Sequence, residues 1–337
     1  MKLKAAAIQM QSHVGDVNYN LALTEKMVRE AASQGARLIA LPEFFTSAIT
    51  PDDRPYAAVL GASNHAVGLL QKLSRELDIW VGGSLLQEER GEIYNRYTFV
   101  EPNQSLHTHD KDLPTMWENA FYVGGRDDGV FQSDLGMVGA AVCWELIREQ
   151  TIRRMHGRVQ LVMTGTHWWT VPTNWPCLGP QSLILGGLAQ RNARLSLGAP
   201  SEFAKRLGVP VLQASHCGHF SGRFNLIAGL SLSVPYSTHF VGATQIVDAQ
   251  GKVLVSRHTD QGPGIVYAEI EIPRTPVRQK YRGKGYWVPE LPWLMRRYWA
   301  QQNWATAPIY AQKGRQLGLA AAKQTTLNQL PEENNHD

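Results

Sequence analysis

The sequence predicts an α/β layered fold, and three features predict it. Short apolar runs alternate with amphipathic stretches from the first residues onward. Residues such as Gly35 and Pro42 break the chain between them, and no internal repeat or low-complexity block interrupts the alternation. Strands interleaved with helices argue for helices laid on sheets rather than separate all-α and all-β pieces.

The elements follow in order. "LKAAAIQM" reads as a first strand, and "NYNLALTEKMVREAASQG" as an amphipathic helix whose Leu21, Leu23, Met27, Val28 and Ala31 share a face and which Gly35 stops. "ARLIALPE" is a short apolar strand closed by Pro42. A helix over "SNHAVGLLQKLSRELD" feeds the strand "IWVGGSLLQ", and "GEIYNRYTFVEP" looks like its hairpin partner. Then come a buried strand in "GMVGAAVCWE", a helix in "LIREQTIRRMHG" and a strand in "RVQLVMTG". After Pro176 the pattern predicts a helical stretch near "LILGGLAQRNARL", a separate short helix "SEFAKRLG" and the strand "VPVLQAS". It closes on β-rich sequence, with "FVGATQIVDA" and "KVLVSRH" turning at Gln250-Gly251 and "GPGIVYAEIEI" last.

At 337 residues the chain has room for one large core or two modest ones, because domains average about 150 residues but α/β folds often run to about 250 as one unit. Its 43% apolar and 18% charged residues describe an ordinary soluble globular protein, and a net charge of +4 is too small to imply nucleic acid or membrane. The apolar run in "MKLKAAAIQMQSH" breaks at Gln9, too early for a secretory segment, and no stretch of about 18 apolar residues suggests a membrane span. Three scattered cysteines, Cys143, Cys177 and Cys217, argue against a disulfide framework and for a reducing cytoplasm. Residues 274–337 differ in character. They are rich in Arg, Lys, Trp and Tyr, with spaced prolines, and end in a polar tail expected to fray. This segment reads as an arm packing on the body or on a partner subunit, in preference to a nucleic-acid surface.

Cys143 sits where the strand "GMVGAAV" gives way to a helix, so its sulfur could meet a helix N-terminal dipole at the carboxyl end of a strand, where ligands gather in α/β folds. A free cysteine is also among the most commonly buried residues, so this position alone leaves both readings open. Glu43 follows the strand in "LIALPEFF", and Lys111 follows "YNRYTFV" in a polar segment that reads as loop. Each alone would pass for a turn or surface residue. Together, a base, a cation and a thiol each follow a strand and precede a break.

In "ALPEFF", "HDKDLPTMWE" and "GAAVCWELIRE" the chain resembles the nitrilase superfamily, the carbon–nitrogen hydrolases, whose members carry a Glu–Lys–Cys triad in this order. Further resemblances from residue 4 to 271 include "AAIQM", "GDVNYNL", "YNRYTFV", "IVDAQGKVL" and "GIVYAEIEI". The resemblance implies a four-layer α-β-β-α sandwich over residues 1–273, paired into a homodimer or higher homo-oligomer. It implies Glu43, Lys111 and Cys143 as catalytic residues, with Glu118 matching a second glutamate after the lysine. It further implies hydrolysis of a small-molecule amide or nitrile with no metal or other cofactor, most broadly an amidase working through a cysteine thioester and releasing ammonia. A nitrilase and an N-carbamoyl-amide hydrolase are alternatives on the same triad. A non-catalytic binding or assembly protein on the same fold is the alternative from another class.

Trp144 offers a backbone N–H beside the nucleophile, and "TGTHWWTVPTNW" falls where relatives line their pocket, which makes His167, Trp168 and Trp169 candidates for an aromatic wall. The chain departs from many relatives in having Arg148-Glu149 where they have proline and glutamate, and Ser215 where they have asparagine. "HTH" (His107, His109) and "HCGH" (His216, Cys217, His219) carry metal-ligand residue types but match no paired-cysteine zinc pattern, so no metal site is expected.

Overall fold

The structure is a computed structural model that describes residues 1–175, 187–227, 232–278, 280, 281, 283 and 285–327. Strand β1 (Lys2–Met10) leads to helix α1 (Val17–Ser33), which Asp16 caps by accepting the Tyr19 N–H at 3.0 Å. β2 (Leu38–Ala40) is followed by helix α2 (His65–Leu77), capped in the same way by Asn64, and by the antiparallel run β3 (Trp80–Glu89), β4 (Glu92–Val100) and β5 (Leu106–Asp110). β6 (Val130–Ser133), β7 (Gly136–Ala140), α3 (Glu149–Met155), β8 (Leu161–Thr166), α4 (Leu188–Leu207) and β9 (Val211–His216) come next. After a hairpin of β10 (His219–Asn225) and β11 (Ser233–His239), the strands β12 (Thr244–Val247), β13 (Val253–Arg257) and β14 (Gly264–Glu271) complete the sheets. Helices α5 (Trp293–Ile309) and α6 (Arg315–Leu327) end the described chain.

Two six-stranded halves emerge from the pairing. One runs β14-β1-β2-β3-β4-β5 and the other β13-β12-β9-β8-β7-β6, and they join where Gln9 and Met10 of β1 pair with Ser215 and His216 of β9. The halves face each other, with β2 and β3 against β8 and β9, while α1 and α2 cover one outer face and α3 and α4 the other. This is the expected four-layer α-β-β-α sandwich. β1–β3 and β7–β9 are parallel and buried on both faces, which explains why they read as continuous apolar runs rather than alternating ones.

Several elements differ from the sequence reading. The separate helix "SEFAKRLG" is the last part of α4, which continues through Pro200 as one helix. The polar segment before Lys111 is strand β5, because "LHTHD" pairs with β4 at the sheet edge, where polar side chains face solvent on one side. The β10–β11 hairpin had no clear apolar alternation to announce it. The helix expected directly after Cys143 is a single 3₁₀ turn, Cys143–Ile147, and α3 starts only at Glu149. Cys177 and the start of the "LILGGLAQRNARL" stretch lie outside the described residues.

At Gly165 of β8 the facing backbone that follows β2 leaves no room for a side chain. A Cβ on Gly165 would lie 2.3 Å from the Glu43 backbone nitrogen and 2.6 Å from the Pro42 carbonyl carbon. Backbone cannot yield as a flexible side chain can, so Gly165→Ala is expected to cost about 1–3 kcal/mol or more of stability. Thermal or urea unfolding of that variant measures it.

Candidate active site

The carboxyl ends of three parallel strands, β2, β7 and β8, and of the antiparallel edge strand β5 bring the site together. Glu43 lies three residues after β2, Lys111 directly after β5, Cys143 three residues after β7 and His167 directly after β8. (β5 itself is antiparallel to its neighbour but delivers Lys111 to the same place.) Three non-glycine residues with left-handed backbone cluster here: Phe44 at φ 54°, Met116 at 56° and Cys143 at 55°. One follows Glu43, one opens the 3₁₀ turn Met116–Ala120 that carries Glu118, and one is the thiol residue itself. Such conformations cost roughly 1–3 kcal/mol each and persist only where the surroundings hold them.

What holds them is a fully buried polar network. Lys111 Nζ donates to Glu43 Oε1 at 2.8 Å and to Glu118 Oε2 at 2.7 Å, and all three side chains have no solvent exposure. Asn95 on β4 donates to the same Glu43 Oε1 at 2.8 Å, while its carbonyl accepts the Lys111 N–H at 3.0 Å. The second Glu43 oxygen, Oε2, accepts the His167 backbone N–H at 2.8 Å. Glu118 Oε2 also accepts the Thr115 N–H at 3.0 Å and the Tyr122 hydroxyl. The Cys143 thiol interacts with the Glu43 carboxyl and with the His167 backbone N–H.

Burial sets the proton affinities. It pushes the Glu43 carboxyl up to about 7, against the pull of Lys111 and with the help of the Glu118 charge. Burial and the Glu43 charge push the Cys143 thiol well above its usual range, so at neutral pH it is a thiol beside a base rather than a standing thiolate. Burial alone would lower Lys111, but the two carboxylates prevail and hold it well above the ordinary lysine value. The helix-dipole activation expected for Cys143 is therefore not the dominant influence. The adjacent turn is short, and desolvation outweighs it.

A second buried network, unforeseen in the sequence, braces the first. Glu145 Oε2 accepts the Val142 N–H at 2.7 Å and Glu145 Oε1 the Asp112 N–H at 3.2 Å, tying the residue before Cys143 to the residue after Lys111. His109 Nε2 donates to Glu145 at 2.8 Å, and its Nδ1 meets Asp127 at 2.5 Å. Burial opposes charge on His109, yet Glu145 and Asp127 raise it to about 10. Arg148 is buried and pairs with Asp112, and Arg154 bonds Asp112 and Glu145 at 3.0 Å each. Arg148, unexplained by the resemblance, thus neutralises a buried aspartate. Ser215, the other departure, shares a 3.1 Å hydrogen bond with Thr166 across β8 and β9.

The remaining candidates fall differently. Trp144 and Trp168 line a narrow recess beside the turn that Cys143 opens, together with Met116 and Trp169. The His167 ring does not line it. Its Nε2 accepts the Ile49 N–H at 2.9 Å, and the ring packs against Phe44, Trp117, Phe220 and Phe240. Burial and His216 hold that ring well below the usual histidine range, so it is neutral. His107 bonds Glu101 at 2.5 Å, His216 donates to the Glu43 carbonyl at 2.6 Å, and the His219 ring lies tilted against His239, with ring centroids 5.4 Å apart. A wider groove, lined by Asp52, Asp53, Arg223 and Lys313, borders Trp117, and neither it nor the recess is lined by Glu43, Lys111 or Cys143 themselves.

A thiol, a carboxylate of near-neutral proton affinity and a buried lysine at the strand ends of a two-sheet sandwich have the makings of nucleophilic hydrolysis at an acyl carbon. The chain belongs to the carbon–nitrogen hydrolase family, whose model matches residues 4–277. It is similar to the chloroplastic omega-amidase of Arabidopsis thaliana, with 27% identity over 186 residues covering 50% of each chain. It is also similar to the omega-amidase NIT2 of Danio rerio, with 28% identity over 194 residues covering 52% of this chain and 68% of that one. The chain thus spans about half of the first relative's length and about two thirds of the second's. Among solved structures, a CN-hydrolase superfamily protein from Xanthomonas campestris superposes with a TM-score of 0.61 at 16% identity, covering 80% of this chain and 91% of that chain. An amidase from Nesterenkonia sp. superposes with 0.57 at 20% identity, covering 79% and 89%. At these identities the likeness establishes the fold.

Removing Lys111 leaves two buried carboxylates without their cation. Burial, no longer opposed by the ammonium, would hold the folded Glu43 pKa further above its unfolded value, so stability is retained at low pH and lost as pH rises. Lys111→Met should lose about 3–5 kcal/mol at pH 8 and distinctly less at pH 5.5. Urea unfolding of variant and parent at both pH values measures the difference.

Proposed function

We propose that the protein is an amidase in which Cys143 is the nucleophile, Glu43 the general base and acid, and Lys111 the stabiliser of the oxyanion. The observation that carries this reading is the convergence of a buried carboxyl near 7 on the Cys143 thiol. Glu43 Oε1 already accepts two donors, from Lys111 and Asn95, whereas Oε2 accepts one, so Oε2 is the oxygen with room for the thiol proton.

The thiol proton passes to Glu43 as sulfur attacks the amide carbon. The carbonyl oxygen becomes an oxyanion, which the Trp144 N–H and the remaining Lys111 N–H receive. Two Lys111 protons are committed to carboxylates, and the third meets no acceptor among the described residues. Each such donor is worth about 3–4 kcal/mol of barrier. Glu43 then returns its proton to the leaving nitrogen, ammonia departs and a thioester remains. Water, deprotonated by Glu43, attacks the thioester, the acid leaves and the thiol regains its proton. Glu118 holds Lys111 in register throughout. Its similarity to omega-amidases and to an N-carbamoylputrescine amidase supports amide over nitrile substrates.

Two further expectations belong to this reading. The buried free thiols Cys143 and Cys217 suit a reducing, cytoplasmic setting. The exposed Trp293 and Trp304 on α5 suit a homo-oligomer.

A panel of amides, nitriles and N-carbamoyl amines, followed by ammonia release, tests the assignment. Amides should be turned over, and Cys143→Ala and Cys143→Ser should each lose about 10³-fold or more in kcat. Near-normal rates in either variant would falsify the nucleophile. Because the base must be ionised, kcat/KM should rise through a midpoint near pH 7, the value of the Glu43 carboxyl. A limb near pH 4.5 would contradict that role.

A further inference from the structure

We propose that helix α5 completes the acyl pocket of this amidase, and that Met295 and Tyr298 determine its specificity for uncharged, apolar acyl groups. The proposal rests on the amidase reading for its chemistry and on α5 for what is new. The family match ends at residue 277, and α5 begins at Trp293, so this wall belongs to the chain's own C-terminal segment.

The recess carries the argument. Trp144, Trp168, Trp169 and Met116 form its inner walls, and Met295 and Tyr298 close it from α5. Three of those inner residues are chain neighbours of the site. Trp144 follows Cys143, Met116 opens the turn that carries Glu118, and Trp168 follows the residue whose N–H holds Glu43. No lining residue among those described is ionisable to a carboxylate or a cation. The amide of Asn192, its most polar member, is spent at both ends, accepting from the Trp168 indole at 3.0 Å and donating to the Trp169 carbonyl at 2.8 Å. A carboxylate entering such a space would lose its hydration and meet no cation among the lining residues to offset its charge.

Helix α5 is fastened to the site, not merely laid across it. Asn303 Oδ1 accepts the Met116 N–H at 2.9 Å, and the Thr306 hydroxyl reaches the Met116 carbonyl at 2.9 Å. Both backbone groups of a left-handed residue in the Glu118 turn are thereby held by α5. Gln302 donates to the Asn225 carbonyl at 3.0 Å, and Tyr298 stacks on Phe224 at 5.8 Å, which ties the same helix to the β10–β11 hairpin. The recess is narrow as it stands, and Cys143 is fully buried, so the side chains on α5 set how large an acyl group can be admitted.

The test uses the full chain with Met295→Ala, which widens the recess, and Met295→Phe, which fills it. The readout is the ratio of kcat/KM for phenylacetamide to that for propionamide. The ratio should rise about tenfold in Met295→Ala and fall in Met295→Phe, while succinamate is a poorer substrate than uncharged valeramide for the parent. Alkylation of Cys143 provides a readout independent of turnover. Sulfur displaces bromide from 2-bromoacetamide or 2-bromo-2-phenylacetamide, leaving a thioether that intact mass records. The rate ratio of the bulky to the small reagent should move in the same two directions. Ratios unmoved in both variants, or a preference for succinamate, overturn the proposal. A parent protein that turns over no amide overturns the amidase reading instead, and the alkylation ratio still reports on the α5 wall.

Discussion

The rest of the site depends on one buried cation. Lys111 has no exposed surface, and its ammonium is kept charged only because Glu43 and Glu118 flank it at hydrogen-bond distance. Desolvation of a lone ammonium would favour the neutral amine, and desolvation of two lone carboxylates would favour their acids. Placed together, one positive and two negative groups leave one proton's worth of ambiguity, and Glu43, near 7, is where it resides. That ambiguity is useful chemistry. A carboxyl that gains and loses a proton near neutral pH can serve as base in one half-reaction and acid in the other.

Such a network is stable only if its geometry cannot relax. The structure supplies this through a second network built from the same short segments. Glu145 accepts the backbone N–H just before the thiol residue and the one just after the lysine, and His109, held charged by Asp127 and Glu145, offsets its burial. Arg148 and Arg154 do the same for Asp112. Every buried charge near the site thus meets an opposite one, as buried ions require. The left-handed residues at 44, 116 and 143 mark where this frame overrides local backbone preference.

The C-terminal helix extends the same logic outward. By holding Met116 through both of its backbone groups, α5 joins the acid turn to the outer wall of the recess. A segment that reads in sequence as a basic, aromatic arm is thus in contact with the turn that carries Glu118.

How much was legible follows from what each feature needs. The layered α/β order was readable because buried parallel strands must be apolar runs and amphipathic helices must carry a stripe, and both are local patterns. The grouping of Glu43, Lys111 and Cys143 was readable because each sits in a recognisable stretch at the end of a strand. Asn95 has no visible role within "YNRYTFV", since its amide matters only once β4 lies beside the Glu43 loop. Glu145, His109 and Arg148 were opaque for a similar reason. A glutamate two residues past a cysteine has no evident role until folding sets it between two backbones. The sequence by itself determined the elements, their order and the chemical groups available. Only the tertiary structure decided which charges would share one water-free space, and so which proton affinities they would have, because desolvation depends on neighbours distant in the chain.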